Sequence, residues 1–461
     1  MTTHRFSRAT RAATLLVMSA AAWAPVSAEP LTRAQAVERA LHANPDVQKS
    51  LEDLAILNGQ KGEALADALP ELTLYGTFTR YRDPALLNSS SFDEFPPELR
   101  ESLRPIPANL YDGRVQLRQT LFSFKVGRAL RAARLAGTLG AEEVRRARQA
   151  VALEAVRAYN DHLLALEKVS VAGKAVRQKE KHLESVQNRR AAGVATDLEV
   201  LRSRVDLENA KVVLRRLRGA ADLARAGLNA VMVRPIDEPI EPVDTLTYVP
   251  LDLPLDEVVR RAWAERPEAR AAELNERVYG EFVAVEQGEG RPRLDFLADY
   301  GWSVRRPGDF LDREFKKWNV AVTLTVPLFD GWRVSSKVAQ ARAQRNKAAQ
   351  DRIALENRIR LEARDSLDRL NVAREILEAA ELNVSQAQQA LDMTQANYGH
   401  GAATTLDVLD AQAALTQAES ARIEALYDHA NARATLRYVM ARDVLAEGEP
   451  ADSPDPGRTT R

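Results

Sequence analysis

The sequence predicts an α+β membrane protein, elongated and built from one unit used twice. Three observations lead there. The phrase GVATDLEVL at 193–201 returns as GAATTLDVL at 401–409, with six of nine positions identical at an offset of 208 residues. Self-similarity on this scale marks a duplicated structural unit. Two proline-free windows, 108–234 and 328–449, are rich in Ala, Leu, Glu, Arg and Gln, which favour helix. Four segments of about ten residues alternate apolar and polar side chains, the pattern of strands with one face in lipid.

At the start of the chain, Arg5, Arg8 and Arg11 precede a largely apolar run from Ala12 to Ala24, followed by Val26-Ser27-Ala28. This is the layout of a secretory signal peptide over 1–28, with cleavage before Glu29. Its removal takes three of the 65 basic residues and none of the 65 acidic ones, leaving a formal charge of −3. No basic excess remains to hold nucleic acid. The chain has no cysteine, which excludes disulfides, thiolate zinc sites and lipid attachment through an N-terminal cysteine. After the leader no run of about 18 apolar residues occurs, so a membrane role has to use strands.

The first repeat, 29–232, opens with a short helix and a second over 45–69, then strands near 71–82 and 111–122. Leu72, Leu74 and Phe78 share one face of the first strand, and Thr73, Tyr75, Thr77 and Thr79 the other. The intervening 83–110, with five prolines and a serine run, reads as a surface loop. A helix over 125–191 follows. Val144, Ala147, Val151, Ala155, Ala158, Ala165, Ala172, Val176 and Leu183 recur in it at spacings of three, four and seven, a narrow coiled-coil stripe. At ~1.5 Å per residue it spans roughly 100 Å. Gly193 then reverses the chain into a helix over 195–232.

Residues 233–252 link the halves, and the segments 31–44, 233–266 and 443–461 are left to form an equatorial belt. The second repeat, 253–442, restarts with LPLDEVVRRAWAERPEA at 253–269, which echoes LTRAQAVERALHANPDV at 31–47. Its strands fall near 292–304 and 317–326, its long helix at 333–399 and its last helix at 404–441. A polar tail, 443–461, ends the chain. In each half the two shorter helices, laid end to end, nearly match the long one, so the helices form a cylinder that continues the strands. Tyr81, Tyr111, Tyr300, Trp302 and Trp318 sit toward the loop ends of the strands, where an aromatic girdle lies. Four strands cannot close a membrane barrel, and open edges in lipid are prohibitively costly. Copies must therefore associate with closed rotational symmetry, and the pattern itself does not choose between two copies and three.

NYGHGAATTLDVLDAQ at 397–412, with TLFSFKVGRA at 120–129 and VPLFDGWRVSS at 326–336, resembles the TolC family of outer-membrane efflux proteins, over about residues 31–442. The resemblance implies a homotrimer. Its twelve-stranded β-barrel, four strands from each protomer, stands in outer-membrane lipid and is continued by a long periplasmic α-helical barrel. It implies passive export through an outer-membrane duct, coupled by a periplasmic adaptor (membrane fusion protein) to an inner-membrane RND, ABC or MFS pump. Neither enzymatic activity nor a cofactor is implied. A type I protein secretion role is the alternative within the family.

By the same resemblance Asp407 and Asp410 match acidic rings that narrow the periplasmic entrance, while two solvated carboxylates near a helix N-terminus are the plain alternative. Tyr398 and Glu199 match residues that hold the entrance closed. The basic residue some members carry is replaced here by Ala403, and Arg190 or its neighbour Arg189 on the other tip stands in for it. Gly193, Val194 and Ala195, with Gly401, Ala402 and Ala403, match tips that contact the adaptor, although a helix reversal alone requires the glycines. Two readings from other classes compete. A periplasmic adaptor has one helical hairpin rather than two, and a structural coiled-coil protein lacks amphipathic strands.

Overall fold

A computed structural model of the chain describes residues 29–82, 84, 96–102 and 108–445. The expected leader, parts of the 83–110 loop and residues 446–461 of the tail lie outside the described residues. In chain order the elements are β1 (Glu29–Leu31), α1 (Arg33–Ala43), α2 (Pro45–Ala66), β2 (Glu71–Tyr81), α3 (Pro97–Ser102), β3 (Ala108–Ser123), α4 (Phe124–Ala191), α5 (Asp197–Val231) and β4 (Ile240–Pro242). Then come α6 (Leu255–Glu265), α7 (Pro267–Glu289), β5 (Arg293–Val304), β6 (Lys316–Thr325), α8 (Arg333–Gly399) and α9 (Thr405–Val439).

Two details differ from the sequence expectation. The second strand starts at Ala108 rather than 111, because Ala108, Asn109 and Leu110 pair with Tyr81, Arg80 and Thr79. Cross-strand pairing outweighs the weak strand preference of Ala and Asn. The expected loop 83–110 also contains α3. The short parallel pair β1–β4 is too brief to leave a periodic signal.

The four long strands form one antiparallel sheet in the order β2-β3-β5-β6. The register sorts the two faces. Leu74, Val115, Tyr300 and Trp318 lie in one row, and Leu72, Leu117, Ala298 and Val320 in another on the same face. The opposite face carries Thr73, Tyr75, Gln116, Arg114, Asp299, Asn319 and Lys317. A bulge between Thr120 and Phe122 sets Leu121 aside and returns Phe122 to the apolar face opposite Leu294. From Leu294 to Val304 that face rises ten residues, which at ~3.3 Å each and ~40° of tilt gives ~25 Å, the apolar height of an outer-membrane wall.

The helices repeat the order of the strands. α2 and α5 pack against α4, α7 and α9 lie between α4 and α8, and α8 closes the far side. The end of α5 meets the start of α2, where Asn44 caps Asp46 N and its Nδ2 donates to Val231 O at 3.3 Å. α1 covers this junction with Ala36, Val37 and Ala40 against Val151, Ala155 and Tyr159 of α4 and Leu228 of α5. The second half copies the arrangement. Val258 and Ala262 of α6 pack on Ile359, Ala363 and Leu367 of α8 and Leu436 of α9. Among the described residues no helix is long and apolar enough to cross a membrane.

Where α7 enters the sheet it runs hard against the first turn of α4. A Cβ on Gly288 would sit 2.7 Å from Lys125 N, whereas one on Gly280 meets nothing within 4 Å. Gly288→Ala is therefore expected to lower the thermal midpoint of the purified protein, with an overpacking cost of ~1–3 kcal/mol. Gly280→Ala should raise it through helix propensity, by up to ~1 kcal/mol. Circular dichroism on heating separates the two, and equal midpoints for both variants would contradict the close approach.

Candidate functional site

The two tips farthest from the sheet are built by the same local rules. At the first, Gly193 takes φ +77, Val194 N donates to Arg189 O at 2.9 Å and Gly193 N to Arg190 O at 2.9 Å. At the second, Gly401 takes φ +77, Ala402 N donates to Asn397 O at 2.8 Å and Gly401 N to Tyr398 O at 3.1 Å. Both are Schellman endings, which need a left-handed residue. The following helix then starts on a capping box, Thr196 with Glu199 and Thr404 with Asp407. Val194 is exposed, and small side chains surround it on both turns.

Past the turns the copies diverge. Tyr398 is 9% exposed and Thr405 is 4% exposed. The Tyr398 hydroxyl lies 3.2 Å from Thr405 Oγ1, which donates to Glu199 Oε1 at 2.9 Å. The Arg189 guanidinium stacks 4.5 Å above the Tyr398 ring, and its Nη1 donates to Tyr398 O at 3.3 Å. A continuous set of contacts thus ties α4 and α5 to α8 and α9 at their tips. Glu199 has a carboxyl held below the ordinary range, first by the Thr196 backbone N–H and then by Thr405. His182, buried one helical stretch back with its ring 5.9 Å from that of Tyr398, is kept neutral-leaning by burial.

Arg190 does not join this set, contrary to expectation. It pairs with Asp197 at 2.5 Å, both side chains being exposed. The offset of 208 explains why: Arg190 and Asp197 occupy the positions of Tyr398 and Thr405 in the duplicated unit. One copy carries a solvated ion pair, the other a buried hydroxyl pair. Arg189, one residue away and so turned by ~100° on the helix, faces Tyr398 instead. Thr405 and His182 are the residues that sequence reasoning missed. Thr405 was legible as the i+7 partner of Tyr398 across the turn.

Asp407 and Asp410 are both exposed on the first turns of α9. Asp407 Oδ2 accepts from Thr404 N and from Thr404 Oγ1, each at 2.7 Å, and these bonds lower its pKa. Its carboxylate therefore serves the helix start. Asp410 makes no ion pair among the described residues and is the freer charge.

On the sheet, Tyr111, Tyr300, Trp302 and Trp318 share the apolar face in its loop-side half. Tyr81 does not. Its register with Ala108 places it on the face of Thr73 and Tyr75, because 81 has the wrong parity for the lipid side. A second aromatic set stands at the helix-side margin: Phe122, Phe124, Phe329 and Trp332, all exposed. The sequence expectation did not include it, since Phe329 and Trp332 lie outside the alternating pattern.

An amphipathic four-stranded wall of bilayer height, free at both edges and continued by helices of roughly 100 Å, defines an outer-membrane channel with a long tunnel. The pattern of the outer membrane efflux protein family matches residues 36–232 and 258–442. The chain belongs to that family, and it is an exit duct of the outer membrane reaching into the periplasm. It is 26% identical to the outer membrane protein OprJ of Pseudomonas aeruginosa over 396 residues, 82% of this chain and 77% of that protein. To the outer membrane protein TolC of Escherichia coli (strain K12) it is 24% identical over 443 residues, 89% of this chain and 83% of the other. Its fold matches the crystal structure of the Campylobacter jejuni CmeC outer membrane channel with a TM-score of 0.77 at 16% identity, over 96% of this chain and 94% of that one. The adaptor and coiled-coil readings are thereby set aside.

Proposed function

We propose that three copies close into a twelve-stranded barrel, and that their paired tips form a gated mouth in the periplasm. The observation that carries this reading is the contact set Arg189–Tyr398–Thr405–Glu199, which joins two helical hairpins at their far ends. The free edges β2 and β6 must find partners in lipid, and antiparallel directions let β6 of one copy meet β2 of the next. Exposed apolar residues on the flanking helices support the same closure: Leu198, Leu201 and Val205 on α5, Val372, Ile376 and Leu382 on α8. Transport is passive and the protein catalyses nothing. A periplasmic adaptor contacts the tips at Gly193, Val194, Ala195, Gly401, Ala402 and Ala403 and pries the hairpins apart. An inner-membrane RND, ABC or MFS pump supplies the energy. Tyr111, Tyr300, Trp302 and Trp318 form the outer girdle.

Asp407 and Asp410 ring the aperture. Like charges in a narrow passage focus the field, attract cations and repel anions. With Asp407 committed to its capping box, Asp410 carries most of the mobile effect. Substituting both by Ala is expected to abolish cation preference in planar bilayers and to raise conductance. Unchanged reversal potentials in asymmetric salt would remove these residues from the constriction.

A further inference from the structure

The loop between β5 and β6 does not rise away from the barrel mouth but folds down over the outside of the wall. Gly113 lies on the apolar face, between the outward residues Tyr111 and Val115. A Cβ built there would come within 2.7 Å of Phe310 Cζ, so the Phe310 ring rests on the lipid side of the sheet and needs a glycine beneath it. Val304, on the same face and at the start of this loop, is 1% exposed. Two 3₁₀ turns, Pro307–Asp309 and Arg313–Phe315, hold the loop in this path. Leu311, at φ +75, is 67% exposed, and Phe315 is exposed too. A leucine in the left-handed region carries backbone strain, and its exposed apolar side chain is better matched to lipid than to water.

Basic residues surround this apolar cover. Lys316 shares the outward row of Gly113 and Trp302, and Arg80 lies on the same face two residues above Phe78. Arg306 and Arg313 are exposed on the loop itself. Among the described residues none of these four cations has an ion-pair partner. On the lumen face ion pairs do form: Lys317 pairs with Asp112, Arg114 with Asp112 and Asp299, and Arg293 with Asp295. The loop also carries Arg305 and three carboxylates, Asp309, Asp312 and Glu314, which leave residues 305–316 with a formal charge of +1; Asp312 accepts from Glu314 N at 3.3 Å. Arg80 and Lys316, unpaired on the lipid face one step above a row of tyrosine and tryptophan, lie at the level of lipid headgroups, with Arg306 and Arg313 on the adjoining loop.

We propose that the 305–316 loop is a headgroup collar. Phe310, Leu311 and Phe315 enter the outer leaflet, and Arg80, Arg306, Arg313 and Lys316 bind the phosphate groups of its lipids. The collar fixes the height and rotation of the barrel in the membrane and is independent of how the far tips are gated.

The test is titration of the purified full-length protein in detergent with lipid A that carries both its phosphates and with dephosphorylated lipid A, read by native mass spectrometry. The wild type is expected to retain the phosphorylated lipid at least tenfold more tightly. With each cation at an anionic lipid surface contributing roughly fivefold, the variant R80Q/R306Q/R313Q/K316Q should lose that margin. Lys317→Gln, in the lumen, should keep it. Equal retention of both lipids by the wild type would overturn the proposal without any variant. So would a quadruple variant that holds the phosphorylated lipid within twofold of the wild type.

Discussion

Converting Tyr398 to Phe and Thr405 to Val together is expected to open the periplasmic mouth, raising single-channel conductance several-fold in planar bilayers. Both replacements keep the shape of the side chain, so the Arg189 stack and the packing of the Tyr398 ring survive. What disappears is the hydroxyl relay from Tyr398 through Thr405 to Glu199. A hydrogen bond to a charged acceptor is worth ~1.5–3 kcal/mol and a neutral one ~1 kcal/mol, so three copies lose roughly 8–12 kcal/mol of closing contacts. An equilibrium swings from 1:99 to 99:1 with ~5.5 kcal/mol, so about half that loss already reverses the resting state. Arg190→Ala is the matched comparison. It removes an exposed pair worth ~0–1 kcal/mol and should leave conductance near the wild-type value. Two results would sink the gate: an unchanged double variant, or an Arg190→Ala channel that opens as far.

The pH behaviour of the same contact has a definite sign. The Glu199 carboxyl is lowered by its bonds to Thr196 and Thr405. Its contribution is therefore complete above the unfolded carboxylate range and is lost only as pH falls through the lowered folded value. A mouth held by Glu199 stays held in mildly acidic surroundings.

Much of this architecture was legible because long periodic elements repeat their signal many times. The stripe in 125–191 places Val144, Val151, Ala155, Ala172 and Val176 in the packed interior, and all five are buried. Strict alternation in 292–304 and 317–326 likewise fixed which side chains share a face. The equatorial pair β1–β4 was not legible, since three residues carry no period. Nor was the choice between Arg189 and Arg190 at the tip. It depends on ~100° of rotation at the end of a 68-residue helix, beyond what stripe spacing resolves. Tyr81 departs from expectation for a related reason: nearness to a strand end sets its height, but parity sets its face. The outward fold of the 305–316 loop depends on a contact between Gly113 and Phe310, residues far apart in sequence, and no local pattern announces it.

The parity that misplaced Tyr81 also makes the most severe test of the membrane wall. Val320 faces outward at mid-height, opposite Ala298, while Asn319 beside it faces inward opposite Asp299. An arginine at the bilayer midplane on the lipid face costs ~2–4 kcal/mol, and three copies in one barrel place that cost at ~6–12 kcal/mol, comparable with the whole stability of a folded domain. Val320→Arg is therefore expected to abolish accumulation of the folded protein in the outer-membrane fraction and its heat-modifiable migration. Asn319→Arg introduces the same side chain one residue away, into a lumen already lined by Arg114, Asp299 and Lys317, where water and counter-charge receive it. That variant should assemble at close to the wild-type level. The pair places the same arginine, with the same change of charge, on opposite faces of one strand. Equal assembly of the two, or equal failure, would mean that the apolar face of this sheet does not meet lipid.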